Sequence, residues 1–214
     1  ASVSHILNRG AEWYKGLCLS NPKSTGTKLI SVCGHVQRPG NYEVTMGTPM
    51  KDLIFDMCGG MKPGRTLKAV IPGGSSVPIM TAAETEDCLL DYEGVVARGS
   101  MLGSAGMIVM DDSTDMVYQI WRLARFYAHE SCAQCTQCRE GTAWTTKILE
   151  RILAGKGKAA DLDLLLSLSE NMTGKTICVL SDSCAAPIVS GIAKFRSEFD
   201  AYLSGARQPA LAMA

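Results

Sequence analysis

Cys132, Cys135 and Cys138 stand at three-residue intervals in the run His129-Glu130-Ser131-Cys132-Ala133-Gln134-Cys135-Thr136-Gln137-Cys138-Arg139-Glu140-Gly141, and Cys178 follows in a separate Thr176-Ile177-Cys178 segment. A loop with two residues between ligands turns three thiolates toward three corners of one cubane, and a cysteine from a distant element takes the last corner, so the spacing points to an iron–sulfur cluster. Zinc also accepts four thiolates, but its structural sites tend to pair two ligands on each of two knuckles, which fits this pattern less well. Disulfides are the weaker reading: the nine cysteines are an odd number, and Ala1 to Gly10 lacks the basic-then-apolar order of an export signal. A reducing compartment is expected.

Cys18, Cys33, Cys58, Cys88 and Cys184 are scattered singly among apolar or small residues, where free cysteine acts as a small buried hydrophobe. Cys184, six residues beyond Cys178, competes for the fourth ligand position, and spacing alone leaves that choice open. His129 reads as a helix-terminal histidine facing the dipole rather than a ligand. Arg139 either stabilises added negative charge on the cluster or forms a solvated couple with Glu140. His5 and His35 offer no constellation. Pro72-Gly73-Gly74-Ser75-Ser76 reads as a tight structural loop rather than a phosphate cradle, and Gly99 to Gly106 lacks the spacing and following helix of a nucleotide loop.

The elements that must position these residues change character near residue 112. Before it, short β-rich runs alternate with Gly/Pro punctuation: Lys28 to Val32, Asn41 to Val44, Leu67 to Ile71 and Met107 to Met110 read as strands. Between them Met50, Leu53, Ile54 and Met57 recur at helical steps after Thr48-Pro49. After Ser113 the period is helical. Val117, Ile120, Trp121, Ala124 and Tyr127 form one stripe, and Trp144, Ile148 and Ile152 a second. Leu162 to Leu168 supplies a third helix, and a fourth opens on Pro187 with Ile188, Ile192, Phe195, Phe199 and Leu203. The fold class expected is α+β: a small β domain over 28–111, then a four-helix bundle over 112–204 whose inter-helix loops carry the cysteines, then a disordered tail over 205–214.

With 214 residues, 46% hydrophobic and 20% charged, the chain is long enough for one large or two ordinary domains. Lys plus Arg equals Asp plus Glu at 21 each, so no long-range positive field draws nucleic acid or an anionic membrane. No apolar run reaches the roughly 18–20 residues of a spanning helix.

The run Glu130 to Gly141, the Thr176-Ile177-Cys178 segment and Ala69-Val70-Ile71-Pro72-Gly73-Gly74-Ser75-Ser76 closely resemble the flavoprotein subunit of respiratory complex I, the F-subunit family of bacterial NADH-quinone oxidoreductases. The resemblance runs from about residue 3 to 203. It implies a β-grasp domain of the soluble-ligand-binding type followed by a cluster-binding helical domain. By the same likeness the [4Fe–4S] ligands are Cys132, Cys135, Cys138 and Cys178, which sets Cys184 aside. The family also carries a glycine-rich FMN- and NADH-binding domain for which we find no counterpart in this sequence. The chain is therefore expected to be truncated, with 1–27 a remnant or linker of that domain, and to be inactive toward NADH by itself.

The function implied is electron transfer. NADH gives up two electrons together as hydride and clusters take one each, so a flavin divides the pair. The cluster then receives single electrons, its potential set within roughly −700 to +450 mV by hydrogen bonds to sulfur, burial and charge, with backbone amides of the Cys132 to Gly141 loop as donors and no acid–base catalyst needed. Implied partners are a [2Fe–2S] thioredoxin-like subunit and a multi-cluster subunit, on the cytoplasmic face of a bacterial inner membrane or the mitochondrial matrix side. A diaphorase subunit of an NAD-linked hydrogenase or formate dehydrogenase is the alternative, and a zinc-stapled, non-enzymatic scaffold is the second.

Overall fold

A computed structural model describes residues 2–20 and 23–211, which fall into two compact units. The first comprises the chain up to Gly74 together with Met80–Ser113; the second comprises Ser75–Ile79 and the chain from Thr114 onward. No helix among the described residues is long and apolar enough to cross a membrane.

The first unit opens with α1 (Ser2–Arg9) and α2 (Ala11–Lys15), in a stretch expected to be a linker remnant. It continues through β1 (Thr27–Gly34), β2 (Gly40–Thr45), a π-helix (Asp52–Met57), β3 (Leu67–Ile71), β4 (Met80–Thr81), α3 (Ala82–Glu86), α4 (Tyr92–Ala97) and β5 (Gly106–Asp111). The sheet order is β2-β1-β5-β3-β4. β1 and β2 form an antiparallel hairpin, β1 and β5 run parallel, and β3 is antiparallel to both β5 and β4. The first and last strands thus meet side by side at the centre of a mixed sheet, the arrangement of a β-grasp domain.

The period of two explains β1: Ile30 and Val32 are buried, whereas Leu29, one residue before them, is 65% exposed. β5, flanked on both edges, buries a continuous run from Val109 to Asp111 as well as Met107. The apolar steps at Met50, Leu53 and Ile54 do seat a helix on the core. Its bonding differs from the α-helix expected, since the Cys58 N–H reaches back five residues to the Leu53 carbonyl at 2.9 Å, widening the turn by one residue.

The helical unit holds α5 (Met116–Glu130), α6 (Thr136–Leu153), α7 (Ala160–Met172), α8 (Leu180–Lys194) and α9 (Arg196–Leu203). That makes five helices among the described residues where four were expected. Pro187, read as a first helical residue, lies inside α8, which starts seven residues earlier, and the helical path breaks at Phe195 (φ −123) to begin α9. The α5 stripe Val117, Ile120, Trp121, Ala124 and Tyr127 is buried as patterned. Trp144 is not part of the α6 core face; it is 51% exposed, and Ile148, Leu149, Ile152 and Leu153 form that face.

Two glycines lie at helix contacts. A Cβ on Gly141 would lie 2.5 Å from Met172 Sδ, and one on Gly191 would lie 2.2 Å from Ile120 Cδ1, so a larger residue at either point must displace the facing side chain between α6 and α7 or between α8 and α5. Ser75–Ile79 is strapped onto these helices. Ser75 Oγ is 2.8 Å from Tyr127 Oη, the Ile79 N–H donates to Ser190 Oγ at 2.9 Å, and Lys194 Nζ donates to the Ile79 carbonyl at 2.8 Å.

Residues 205–211, expected to be part of a disordered tail, are held in place. Arg207 pairs with Asp115 at 3.1 Å and Glu198 at 3.3 Å, and the Ala210 N–H donates to the Leu153 carbonyl at 2.9 Å. The rest of that tail, 212–214, lies outside the described residues. The segment is tied down by the Asp115 and Glu198 carboxylates, whose pairing with Arg207 a linear pattern does not reveal.

Candidate iron–sulfur site

The sulfur-rich run fills the connection from α5 to α6. α5 ends at Glu130, and Ser131 turns to extended backbone (φ −63, ψ 123) because the apolar stripe stops there. Cys132 is exposed in the connection, Cys135 is the N-cap residue of α6, and Cys138 is buried in its first turn, 7% exposed. No side chain caps α6, so the free N–H groups of its first turn and the positive end of its macrodipole lie at the cysteine run, a setting that favours negative charge.

The second segment joins α7 to α8. Gly174 takes φ +69 and donates its N–H to Asp182 Oδ1 at 3.0 Å, while Thr176 Oγ1 donates to the Cys178 carbonyl at 2.8 Å and lies 2.6 Å from Ser181 Oγ. These bonds fold the turn so that the Ile177 N–H donates to Cys135 Sγ at 3.4 Å. Segments 42 residues apart in sequence are thereby brought to one place, with Cys178 next in the chain and exposed.

Cys184 sits differently. It is fully buried one turn into α8, and burial, with Cys138 nearby as a lesser cause, pushes its thiol up to about 12. Cys184 thus packs in the helical interior, whereas Cys178 is exposed in the α7–α8 connection. Cys58 and Cys88 are buried in the first unit, burial raising both thiols; Cys33 is exposed and Cys18 half-buried.

Of the other residues singled out, His129 is exposed and lies 4.0 Å from Glu130 Oε1. His35 Nδ1 pairs with Asp111 at 2.9 Å, and the His5 ring lies 6.4 Å from that of Trp13. The Gly73-Gly74 loop spends its polar groups internally: the Gly74 N–H donates to the Gly106 carbonyl at 2.7 Å, and the Gly73 carbonyl accepts from the Ser104 N–H at 3.2 Å. It is a structural loop packed on the 99–106 segment. Arg139 donates from Nε to Glu140 Oε1 at 2.9 Å and from Nη1 to the Ala133 carbonyl at 3.0 Å.

Sequence reasoning missed the second of those bonds and the placing of Ser131, whose Oγ lies 3.3 Å from Cys138 Sγ. Ser131 is flagged only by standing next to Cys132; nothing in alanine announces the positive φ of Ala133.

Among the described residues no three His, Cys, Asp or Glu side chains are gathered as a metal ion would need. A four-iron cluster is a larger body that gives each thiolate its own iron, so its ligands stand apart around it. Thiol donors from two segments already joined by an N–H to sulfur contact fit that group.

A β-grasp sheet together with a helical unit offering thiols from two loops defines a class, the iron–sulfur-binding portion of an electron-transfer oxidoreductase. Two family models match accordingly: the SLBB domain over residues 28–118, and the NADH-ubiquinone oxidoreductase-F iron-sulfur binding region over residues 118–202. The F subunit of NADH-quinone oxidoreductase from Rickettsia bellii is 45% identical over 201 residues, covering 94% of this chain and 48% of the relative. The F 1 subunit of the Rhizobium meliloti enzyme is 47% identical over 196 residues, covering 91% and 45%. A crystal structure of NAD+-reducing [NiFe]-hydrogenase in the H2-reduced state superposes with a TM-score of 0.81 at 33% identity, covering 94% of this chain and 34% of that one.

Over nearly its whole length the chain is similar to NADH-quinone oxidoreductase F subunits. It carries the 4Fe–4S-binding region of those subunits and spans about half the length of the curated relatives it matches.

Proposed function

We propose that this chain holds a [4Fe–4S] cluster through Cys132, Cys135, Cys138 and Cys178 and receives on it single electrons from FMN reduced by NADH, as part of a respiratory NADH-quinone oxidoreductase. The observation that carries the reading is the Ile177 N–H donating to Cys135 Sγ, which puts the Cys178 segment against the triplet. When bound, the cluster supplies a one-electron acceptor between a two-electron donor and later carriers.

The chain's own groups prepare that site. The turn over 132–135 and the first turn of α6 present three thiols, and the Thr176 and Asp182 bonds hold the fourth segment in place. The Ile177 N–H stabilises negative charge on sulfur, which favours the reduced state. Cys138 and its neighbours exclude water from one side of the site, whereas Cys132 and Cys178 remain exposed, open to a donor or acceptor. The reading extends to a cytoplasmic site of action on the inner membrane face, with a [2Fe–2S] subunit and a multi-cluster subunit as partners, and to a lack of NADH oxidation by this chain alone.

The likeness to the NAD+-reducing hydrogenase favours a second reading, the diaphorase module of such an enzyme, although the identity is lower there than to the quinone-linked relatives. Subunits that co-purify from the source cell distinguish the two: nickel in the complex supports the second. Anaerobic reconstitution with ferrous iron and sulfide, followed by EPR of the reduced chain, tests the first. A stoichiometric zinc content with no paramagnetic signal would contradict it.

A further inference from the structure

Ala133 and Ala105 are the non-glycine residues with positive φ among those described, and Ala133, at φ +63, lies inside the ligand run. An L-residue is disfavoured there about fivefold or more, because its Cβ crowds the following carbonyl. Something must hold it. The Ala133 N–H donates to Ser131 Oγ at 3.3 Å, and that same oxygen lies 3.3 Å from Cys138 Sγ. The Ala133 carbonyl accepts from Arg139 Nη1 at 3.0 Å. Glu140 takes the Arg139 Nε–H at 2.9 Å, which fixes the guanidinium plane and aims Nη1 at the loop.

The peptide before a residue carries its φ and the peptide after it carries its ψ. Bonds to both the N–H and the C=O of Ala133 therefore fix both angles. An exposed Arg139–Glu140 pair by itself would contribute little. As one half of a clamp it determines the shape of the turn between two thiols, and the rigid two-pronged guanidinium is the side chain that can do this, where a lysine cannot.

We propose that Ser131 and Arg139 are positioning residues that lock Ala133 in the left-handed conformation and so pre-set the Cys132-to-Cys135 turn for the cluster, an inference that rests on the ligand reading above. The test uses the full chain reconstituted anaerobically with ferrous iron and sulfide, following cluster loss to a ferrous chelator by visible absorption and the reduced cluster by EPR. R139Q and R139K lose the cluster about fivefold faster than the parent, the fold-change set by the left-handed penalty. A133G/R139Q returns to within about twofold of the parent rate with the parent EPR line shape, because glycine needs no lock.

R139Q matching the parent overturns the inference, as does R139K matching it, since charge rather than geometry would then be at work. Failure of A133G to rescue R139Q overturns it too. Should R139Q not fold, S131A and A133G/S131A are read in the same way. A parent chain that takes up no iron and sulfide overturns the ligand reading as well, whereas a loaded parent with unaffected variants overturns the clamp alone.

Discussion

Gly141→Ala pits two effects of opposite sign against each other three residues beyond Cys138. Helix propensity alone favours alanine by about 1 kcal/mol in a helix interior. Packing opposes it: the new Cβ would stand 2.5 Å from Met172 Sδ and 2.7 Å from Met172 Cγ, well inside an ordinary contact of about 3.5–4.0 Å. Met172 is 1% exposed, so the clash is relieved only if its side chain shifts within the cleft it lines with Gly141, Trp144 and Leu168. Overpacking of this kind costs about 1–3 kcal/mol, which leaves a net destabilisation of about 1 kcal/mol. For a unit of this size that corresponds to a drop in Tm of about 4–8 °C.

The assay is thermal and urea unfolding of the apo chain followed by far-UV circular dichroism, with M172A as the partner variant. In the M172A background the clash is gone and G141A should stabilise by about 1 kcal/mol, so the sign reverses across the double-mutant cycle. A G141A variant more stable than the parent in both backgrounds would refute the claim that a larger residue at this point must displace Met172. Because α6 carries Cys138 and the chain leaving α7 carries Cys178, G141A should also lower cluster retention in the loaded chain.

Three further outcomes follow from the structure. G73A should destabilise the first unit by about 2 kcal/mol or more in urea unfolding, since its Cβ would lie 2.3 Å from the Met101 carbonyl oxygen, while G40A, with its nearest neighbour at 3.7 Å, should stay within about 0.5 kcal/mol. Burial raises the carboxyl of Asp161, but the Arg151 hydrogen bonds and the Lys158 N–H outweigh it and hold it below its ordinary value. A depressed carboxyl contributes stability above its unfolded value and loses it as pH falls through the folded value; the helical unit of the parent should weaken below about pH 4, and D161N should lose about 2 kcal/mol at neutral pH and flatten that acid limb in pH-dependent unfolding. R207A should loosen residues 205–211, read as faster amide hydrogen exchange at Ala210 with little change in the core.

Much of this architecture is legible in the sequence because side-chain period and burial coincide. Ile30 and Val32 alternate with exposed Leu29, and Val117, Ile120, Trp121, Ala124 and Tyr127 face one way as their spacing requires. The reading fails where a single residue answers to tertiary contacts. Trp144 keeps helical step with Ile148 but lies outside the core face, and Pro187 is tolerated within α8, seven residues from its start. α1, α2, α3 and α4 are short and carry few buried residues, so their periodicity is too brief to stand out. At the proposed site, cysteine spacing marks the candidate donors. The bonds that shape their loops, from Ser131, Arg139, Thr176 and Ile177, join backbone groups whose partners no spacing rule names.

The most direct test of the account is iron and sulfide analysis with EPR on the anaerobically reconstituted chain, run alongside Cys178→Ala and Cys184→Ala. Iron and sulfide in the ratio of a [4Fe–4S] cluster are expected in the parent and in the Cys184 variant, with most of the cluster lost in the Cys178 variant. Retention in Cys178→Ala with loss in Cys184→Ala, or zinc in place of iron in the parent, would contradict it.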